Sequence, residues 1–168
     1  MKNELPKYIF NKKYDKFYLL TEYDIVFNHD FTLKFNNFLK TIGYKELTIE
    51  LDINQIVVPR NIVITNPIKL DEYYETDVSI NETLVPLYMI NFFIYDNSRL
   101  WEIYVSIEHE LCIIGCNDNV NSILEIVVNP YEEESIEQKI KIIGDKFKDS
   151  NVKKEYMNLL EKNYNFRW

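Results

Sequence analysis

The sequence predicts an α+β fold, in which a mainly antiparallel β-sheet packs against several α-helices and the C-terminal part is helical. Three observations carry that expectation. Segments with a period of two occupy the middle of the chain, including a meander at about 87–116. Apolar stripes of helical spacing stand on either side of them, and the connections are short enough for antiparallel neighbours. With 168 residues and no linker, repeat or low-complexity tract, one α+β domain spanning 1–168 is expected.

The elements follow in chain order. Between residues 5 and 27 the apolar runs KYIFN and FYLLTEYDIVF read as one or two strands. Phe31, Phe35, Phe38, Leu39 and Ile42 then share one helix face, with Asp30 as N-cap and Gly43 as the stop. Glu46–Asp52 alternates Leu47, Ile49 and Leu51 with Thr48, Glu50 and Asp52, a strand pattern; another strand is expected at Asn61–Thr65, with Pro59 and Pro67 marking strand ends. The stretch Pro67–Thr83, PIKLDEYYETDVSINET, lacks apolar periodicity and reads as an exposed connection. Leu87–Tyr95 reads as a long apolar strand, and Asp96-Asn97-Ser98 as a polar turn.

In WEIYVSIEHELCIIGCND, residues 101–118, Trp101, Ile103, Val105 and Ile107 alternate with Glu102, Tyr104, Ser106 and Glu108, as in a half-buried strand. Leu111-Cys112-Ile113-Ile114 is apolar on both parities, as in a strand covered on both faces, and the two runs form a hairpin. Val120, Ile123, Leu124 and Val127 have helical spacing, with Asp118 or Asn119 as cap, although a strand at Ile123–Val128 is an alternative. The next helix starts either at Asn129-Pro130 or, through a capping box, at Ser135 with Gln138. It carries the stripe Ile136, Ile140, Ile143 and Phe147, with Lys146 and Lys148 at its end. A last helix, about Val152–Lys162, gathers Val152, Tyr156, Leu159 and Leu160, and the aromatic tail Tyr164–Trp168 is expected to dock on the body.

The spacing His109-x2-Cys112-x3-Cys116 raises a metal or redox site. In an extended strand Cys112 and Cys116 lie roughly 13 Å apart at ~3.3 Å per residue, against the ~7 Å limit of a disulfide. They cannot bridge or share an ion unless Gly115 breaks the strand, and His109 between Glu108 and Glu110 reads as a solvated turn. No metal and no cofactor are expected, and the thiols read as small apolar core groups. Phosphate loops, nucleophile elbows, zincin helices and calcium loops are absent from the sequence. Pairs such as Glu108 with Glu110, or Glu50 with Asp52, carry almost no weight among 27 acidic residues.

A net charge of −8 argues against nucleic-acid or anionic-membrane surfaces and favours a basic protein partner. No run of about 18 apolar residues exists, and MKNELPKYIFNKKYDK lacks the apolar core of a leader, so a cytoplasmic location is expected. The segment LWEIYVSIEHELCIIGCND, within a stretch of about 87–127, resembles small acidic immunity proteins encoded beside bacterial polymorphic or contact-dependent toxins. The resemblance implies a non-catalytic, stoichiometric inhibitor of one cognate toxin domain, acting at its active site or a nearby exosite; the acidic charge adds the expectation that this domain is basic, such as a nuclease. The resemblance assigns no contact residues.

Those come from composition. Asp71, Glu72, Tyr73, Tyr74, Glu75 and Asp77 form either a solvated acidic connection or a partner-binding surface, in which tyrosines give rigid contact area and carboxylates steer a basic partner. The alternatives are an enzyme using His29 or His109 with Cys112, and a regulatory or structural scaffold.

Overall fold

The computed structural model describes residues 5, 7–44, 46–53, 61–65, 69–80, 82–131, 138, 141, 142, 145 and 147–165. Its centre is a six-stranded antiparallel sheet of β1 (Lys16–Leu20), β2 (Glu46–Leu51), β3 (Asn61–Thr65), β6 (Phe92–Asp96), β7 (Trp101–Ser106) and β8 (Leu111–Cys116). The order across the sheet is β1-β8-β7-β6-β2-β3. A separate hairpin joins β4 (Asp77–Ile80) to β5 (Thr83–Pro86). The helices bounded within the described residues are α1 (His29–Thr41), α2 (Asp118–Val128) and the C-terminal α3 (Ser150–Tyr164), and residues 138, 141, 142 and 145 are helical as well. The fold is therefore α+β, with the expected β6-β7-β8 meander at its centre.

Side-chain alternation sends two sets of residues to opposite faces of this sheet. On one face Leu47, Ile49, Ile94, Trp101, Ile103, Cys112 and Ile114 meet Phe31, Phe35, Phe38 and Leu39 of α1 and Val120, Leu124 and Val127 of α2. Trp101 receives Phe35 edge-on, with ring centroids 5.0 Å apart. On the other face Leu19, Tyr104, Leu111 and Ile113 meet Tyr156, Leu160 and Tyr164 of α3, with Ile9, Phe10 and Tyr14 of the N-terminal arm filling the same layer. The arm is irregular, so KYIFN is not a strand. The Tyr164 hydroxyl fastens it by donating to Lys7 O at 2.7 Å and accepting from Ile9 N–H at 3.2 Å.

Helix ends follow local chemistry. Asn28, rather than Asp30, caps α1: its backbone is extended and its Oδ1 accepts from the Asp30 and Phe31 amides. Asp30 sits in the first turn, where its charge suits the helix dipole. Gly43, at φ +72°, ends the helix; Gly43 N–H reaches Lys40 O and Tyr44 N–H reaches Leu39 O, a Schellman closure. Neither Asp118 nor Asn119 caps α2. The helix opens after Asn117, and the Asp118 amide is taken by the Asp15 carboxylate at 3.1 Å from just before β1. The strand alternative for Ile123–Val128 is thereby settled as helix.

Several expectations change with tertiary context. β7 is buried on both faces, including Glu102, Tyr104 and Ser106, because the arm and α3 cover the side its sequence left polar. DIVF forms a 3₁₀ turn, Tyr23–Phe27, that buries Ile25, Val26 and Phe27. The run Leu87–Tyr95 is a 3₁₀ turn, Leu87–Met89, followed by β6; Leu87 and Ile90 are both buried, a spacing of three that suits a turn and not a strand. The stretch expected as an exposed connection is ordered by a 3₁₀ turn at Leu70–Tyr73 and by β4, with Leu70 and Val78 buried. Asn129-Pro130 belongs to a 3₁₀ turn ending at Tyr131, whereas Ser135 and the stripe Ile136, Ile140 and Ile143 lie outside the described residues. Phe147 packs on Tyr156 at 4.8 Å. In α3, Val152 is exposed and Tyr164 completes the buried face with Tyr156 and Leu160. Of the tail, Tyr164 docks and Phe166–Trp168 lie outside the described residues.

Gly115 stays inside β8, paired with Glu102 and Phe17, and both cysteines are buried free thiols. A Cβ at Gly115 would stand 2.7 Å from Tyr14 Cδ2 and 3.1 Å from Phe17 Cε1. Tyr14 cannot retreat freely, since its hydroxyl donates to buried Glu102 at 3.0 Å. Gly115→Ala is expected to cost roughly 1–3 kcal/mol by overpacking, read as a lower urea midpoint. An unchanged midpoint would show that the ring yields without penalty.

Candidate functional site

The six residues expected to bind a partner run from the 3₁₀ turn at Leu70–Tyr73 to the first residue of β4, and the structure divides them by role. Asp71 accepts from or pairs with His29 Nδ1 at 2.9 Å, and Glu72 pairs with Lys69. Tyr73 packs against the helical-face core. Tyr74 does the same, stacking on Tyr88 at 4.9 Å and meeting Phe27 edge-on at 5.3 Å. The two tyrosines are therefore half-buried walls, not free-standing anchors. Glu75 and Asp77 are exposed.

Packing adds what the linear segment lacks. A cleft of about 220 Å³ opens between the 3₁₀ turn at Tyr23–Phe27 and Tyr74, lined by Glu22, Asp24, Ile25, Phe27, Asn28 and Tyr74. The Tyr74 hydroxyl is held above its ordinary pKa by desolvation first, and then by Tyr23, Asp24, Tyr88 and Glu75 around it. Carboxylates from two remote segments thus act on one tyrosine. Among the described residues, no cation pairs with Glu22, Asp24, Glu75 or Asp77, which leaves the cleft and its rim electronegative. Exposed Leu84 and Met89, on β5 and the turn after it, add apolar area next in sequence to Tyr88 and the hairpin. Sequence reasoning missed Glu22, Asp24 and Tyr88. A signal was present: TEYD at 21–24 repeats the acid-and-tyrosine composition of DEYYE at 71–75.

The cysteine and histidine side chains are not brought into one open site. Cys112 is fully buried and burial pushes its thiol up; Cys116 is pushed up to about 12 by burial, then by Asp118 and Asp15. A thiolate nucleophile needs the opposite shift. His29 is engaged with Asp71, and His109 is not a solvated tip: it stacks on Tyr156 at 5.6 Å, with Nδ1 3.1 Å from the Tyr156 hydroxyl. Among the described residues no group of three or more His, Cys, Asp or Glu is placed to hold a metal ion. Nor, among them, is any helix long and apolar enough to cross a membrane.

Of the acidic pairs considered from sequence, Glu50 and Asp52 are each tethered to a tyrosine. Tyr95 donates to Glu50 at 2.8 Å and Tyr104 to Asp52 at 3.1 Å. Glu102 accepts from Tyr14 on one oxygen and from Arg99 Nη1, at 3.0 Å, on the other. The Arg99 guanidinium also lies 3.1 Å from the Tyr95 ring centroid, in the geometry of a cation–π contact. This network closes polar groups inside the sheet layer.

No family model matches the chain, and neither a curated protein nor a solved structure shows significant similarity to it.

Glu102 gives a pH-dependent test of the layer. Burial raises its carboxyl above the usual glutamate value, more than Arg99 and Tyr14 lower it. The folded state therefore holds this proton more tightly than the unfolded chain. The associated stability is present at low pH and is lost as pH rises through the folded-state value. From about pH 4, near the reference glutamate value, to about pH 7, wild type should lose stability relative to Glu102→Gln in urea titrations. A constant difference between the two proteins would remove this assignment.

Proposed function

We propose that this chain is an immunity-type inhibitor that binds and neutralises one basic toxin domain as a non-catalytic, one-to-one partner in the bacterial cytoplasm. The observation that carries this reading is the electronegative cleft, where Glu22 and Asp24 converge with Tyr74 and Glu75 from a remote segment. A net charge of −8 supports it by favouring encounter with a positive surface and penalising nucleic acid. The rigid aromatic wall of Phe27, Tyr74 and Tyr88 supports it too, because contact area held in place before binding costs little entropy to use. Buried, high-pKa thiols support a binding role over turnover at Cys112. Such a surface would act by covering the toxin's basic active site or an adjoining exosite, with carboxylates setting the association rate and the aromatic wall the dissociation rate.

The experiment is capture of the partner from the native host, followed by titration of its toxic activity with the purified chain. A basic protein silenced at one equivalent is expected. The double charge reversal Asp24→Lys with Glu75→Lys should slow association about tenfold at low salt and flatten its salt dependence. A captured partner that is acidic, or one that binds the double variant as fast as wild type, would sink the assignment.

A further inference from the structure

The two edges of the main sheet are finished differently. β1 begins with Lys16, and its Tyr18 hydroxyl donates at 2.7 Å to Asn121 on α2, which lies against that end of the sheet. β3 has β2 on one side and, among the described residues, no strand on the other. Its five residues, NIVIT, contain no charge and no proline, the usual means by which an edge strand refuses a neighbour. Ile64 is buried in the helical-face core and Ile62 packs against it, so the strand is anchored from one face. Val63, on the opposite face, is 56% exposed.

The register extends this opening inward. One row across that face runs Val63, Thr48, Tyr95, Glu102; the next runs Asn61, Glu50, Phe93, Tyr104. Burial is complete at the β7 end, under Tyr14 and the Tyr164 layer, and falls away toward β3, where Asn61 and Val63 are exposed and Thr48 and Glu50 half-buried. Exposed Glu46 shares this face of β2 with Glu50.

We infer that β3 receives an added strand from a partner protein: an extended segment with lysine or arginine at alternate positions facing Glu46 and Glu50. Main-chain hydrogen bonds along β3 supply the affinity common to strand addition; Val63, on the face that the incoming cations take, gives their aliphatic stems a contact, and the alternate apolar residues fall on the Ile62 side. A cation on the added strand lies two strand spacings from β2, about 10 Å, a gap that the long stem of lysine or arginine largely spans. A second copy of this chain is the poorer occupant, since pairing β3 with itself would bring like-charged Glu46 and Glu50 faces together on molecules that each carry −8. The inference is independent of the acidic cleft, whose lining includes no residue of β2 or β3.

The test uses the full chain and a synthetic peptide of about eight residues, an ordinary strand length, alternating lysine with valine or threonine; its counterpart carries glutamate for lysine. Binding is read by fluorescence anisotropy, and amide hydrogen exchange locates it. The lysine peptide should bind at least about tenfold more tightly than the glutamate peptide and slow exchange at the β3 amides. Val63→Lys should weaken it about tenfold or more with an unchanged melting temperature, while Asp24→Lys in the cleft should leave β3 protection intact. The inference fails if the lysine peptide leaves β3 exchange unchanged, if Val63→Lys binds as wild type does, or if β3 is instead occupied by a second copy in a dimer that Val63→Lys dissociates.

Discussion

The rest of the structure is arranged around the burial of β7 and β8 on both faces. Neither strand has a solvated side, so each residue of Trp101–Ser106 and Leu111–Cys116 must find a partner in one of two layers. On the helical face this is ordinary apolar packing against α1 and α2. On the other face it forces a polar solution, because β7 presents Glu102 there. An ionised carboxylate in that position is tolerated only with its oxygens bonded, and removing one member of such a buried pair typically costs about 3–5 kcal/mol. Tyr14 and Arg99 meet that demand from opposite sides in sequence.

The demand propagates outward. Arg99 reaches Glu102 from the β6–β7 turn, where its φ is +51°. That turn is organised by buried Asp96, which accepts from the Ser98 and Arg99 amides and, on its second oxygen, from Trp101 Nε1 at 3.1 Å. Tyr14 reaches Glu102 only because Gly115 leaves room for its ring, which brings the N-terminal arm across the sheet and makes the arm a seat for α3. The same side chain therefore links turn, arm and C-terminal helix. A polar group at the centre of a sheet layer specifies one arrangement of its surroundings more narrowly than an apolar one would.

What is left to the surface is distributed unevenly. Interior carboxylates are bonded to tyrosines and arginine, whereas Glu22, Asp24, Glu75 and Asp77 stand without cationic partners among the described residues. Carboxylates bonded inside the sheet layer thus contrast with an unneutralised rim carried by irregular segments on a rigid sheet. The two ends of the sheet's second face are another such contrast: α3 packs at the β7–β8 end, while Asn61 and Val63 of β3 are exposed.

The α1 stripe, the alternation of β2, the β3 segment, the hairpin at 101–116 and the spacing of α2 were all determined by the sequence alone. Each depends on side-chain periodicity and turn residues within a few positions, and local sterics act over that range. Glu102 looked solvent-facing for the same reason: alternation shows that two faces exist, but not what covers the second. The 3₁₀ turns at Tyr23–Phe27 and Leu87–Met89 resembled strands because a short apolar run fits either geometry until its partners are known. Of the acidic cleft, Tyr74 was legible in DEYYE, while Glu22 and Asp24 joined it only through packing of a turn some fifty residues away in the chain. Tertiary structure alone decided which polar groups are buried, which carboxylates share one field and how far each face of the sheet is covered among the described residues, since all three follow from long-range contacts that no local pattern encodes.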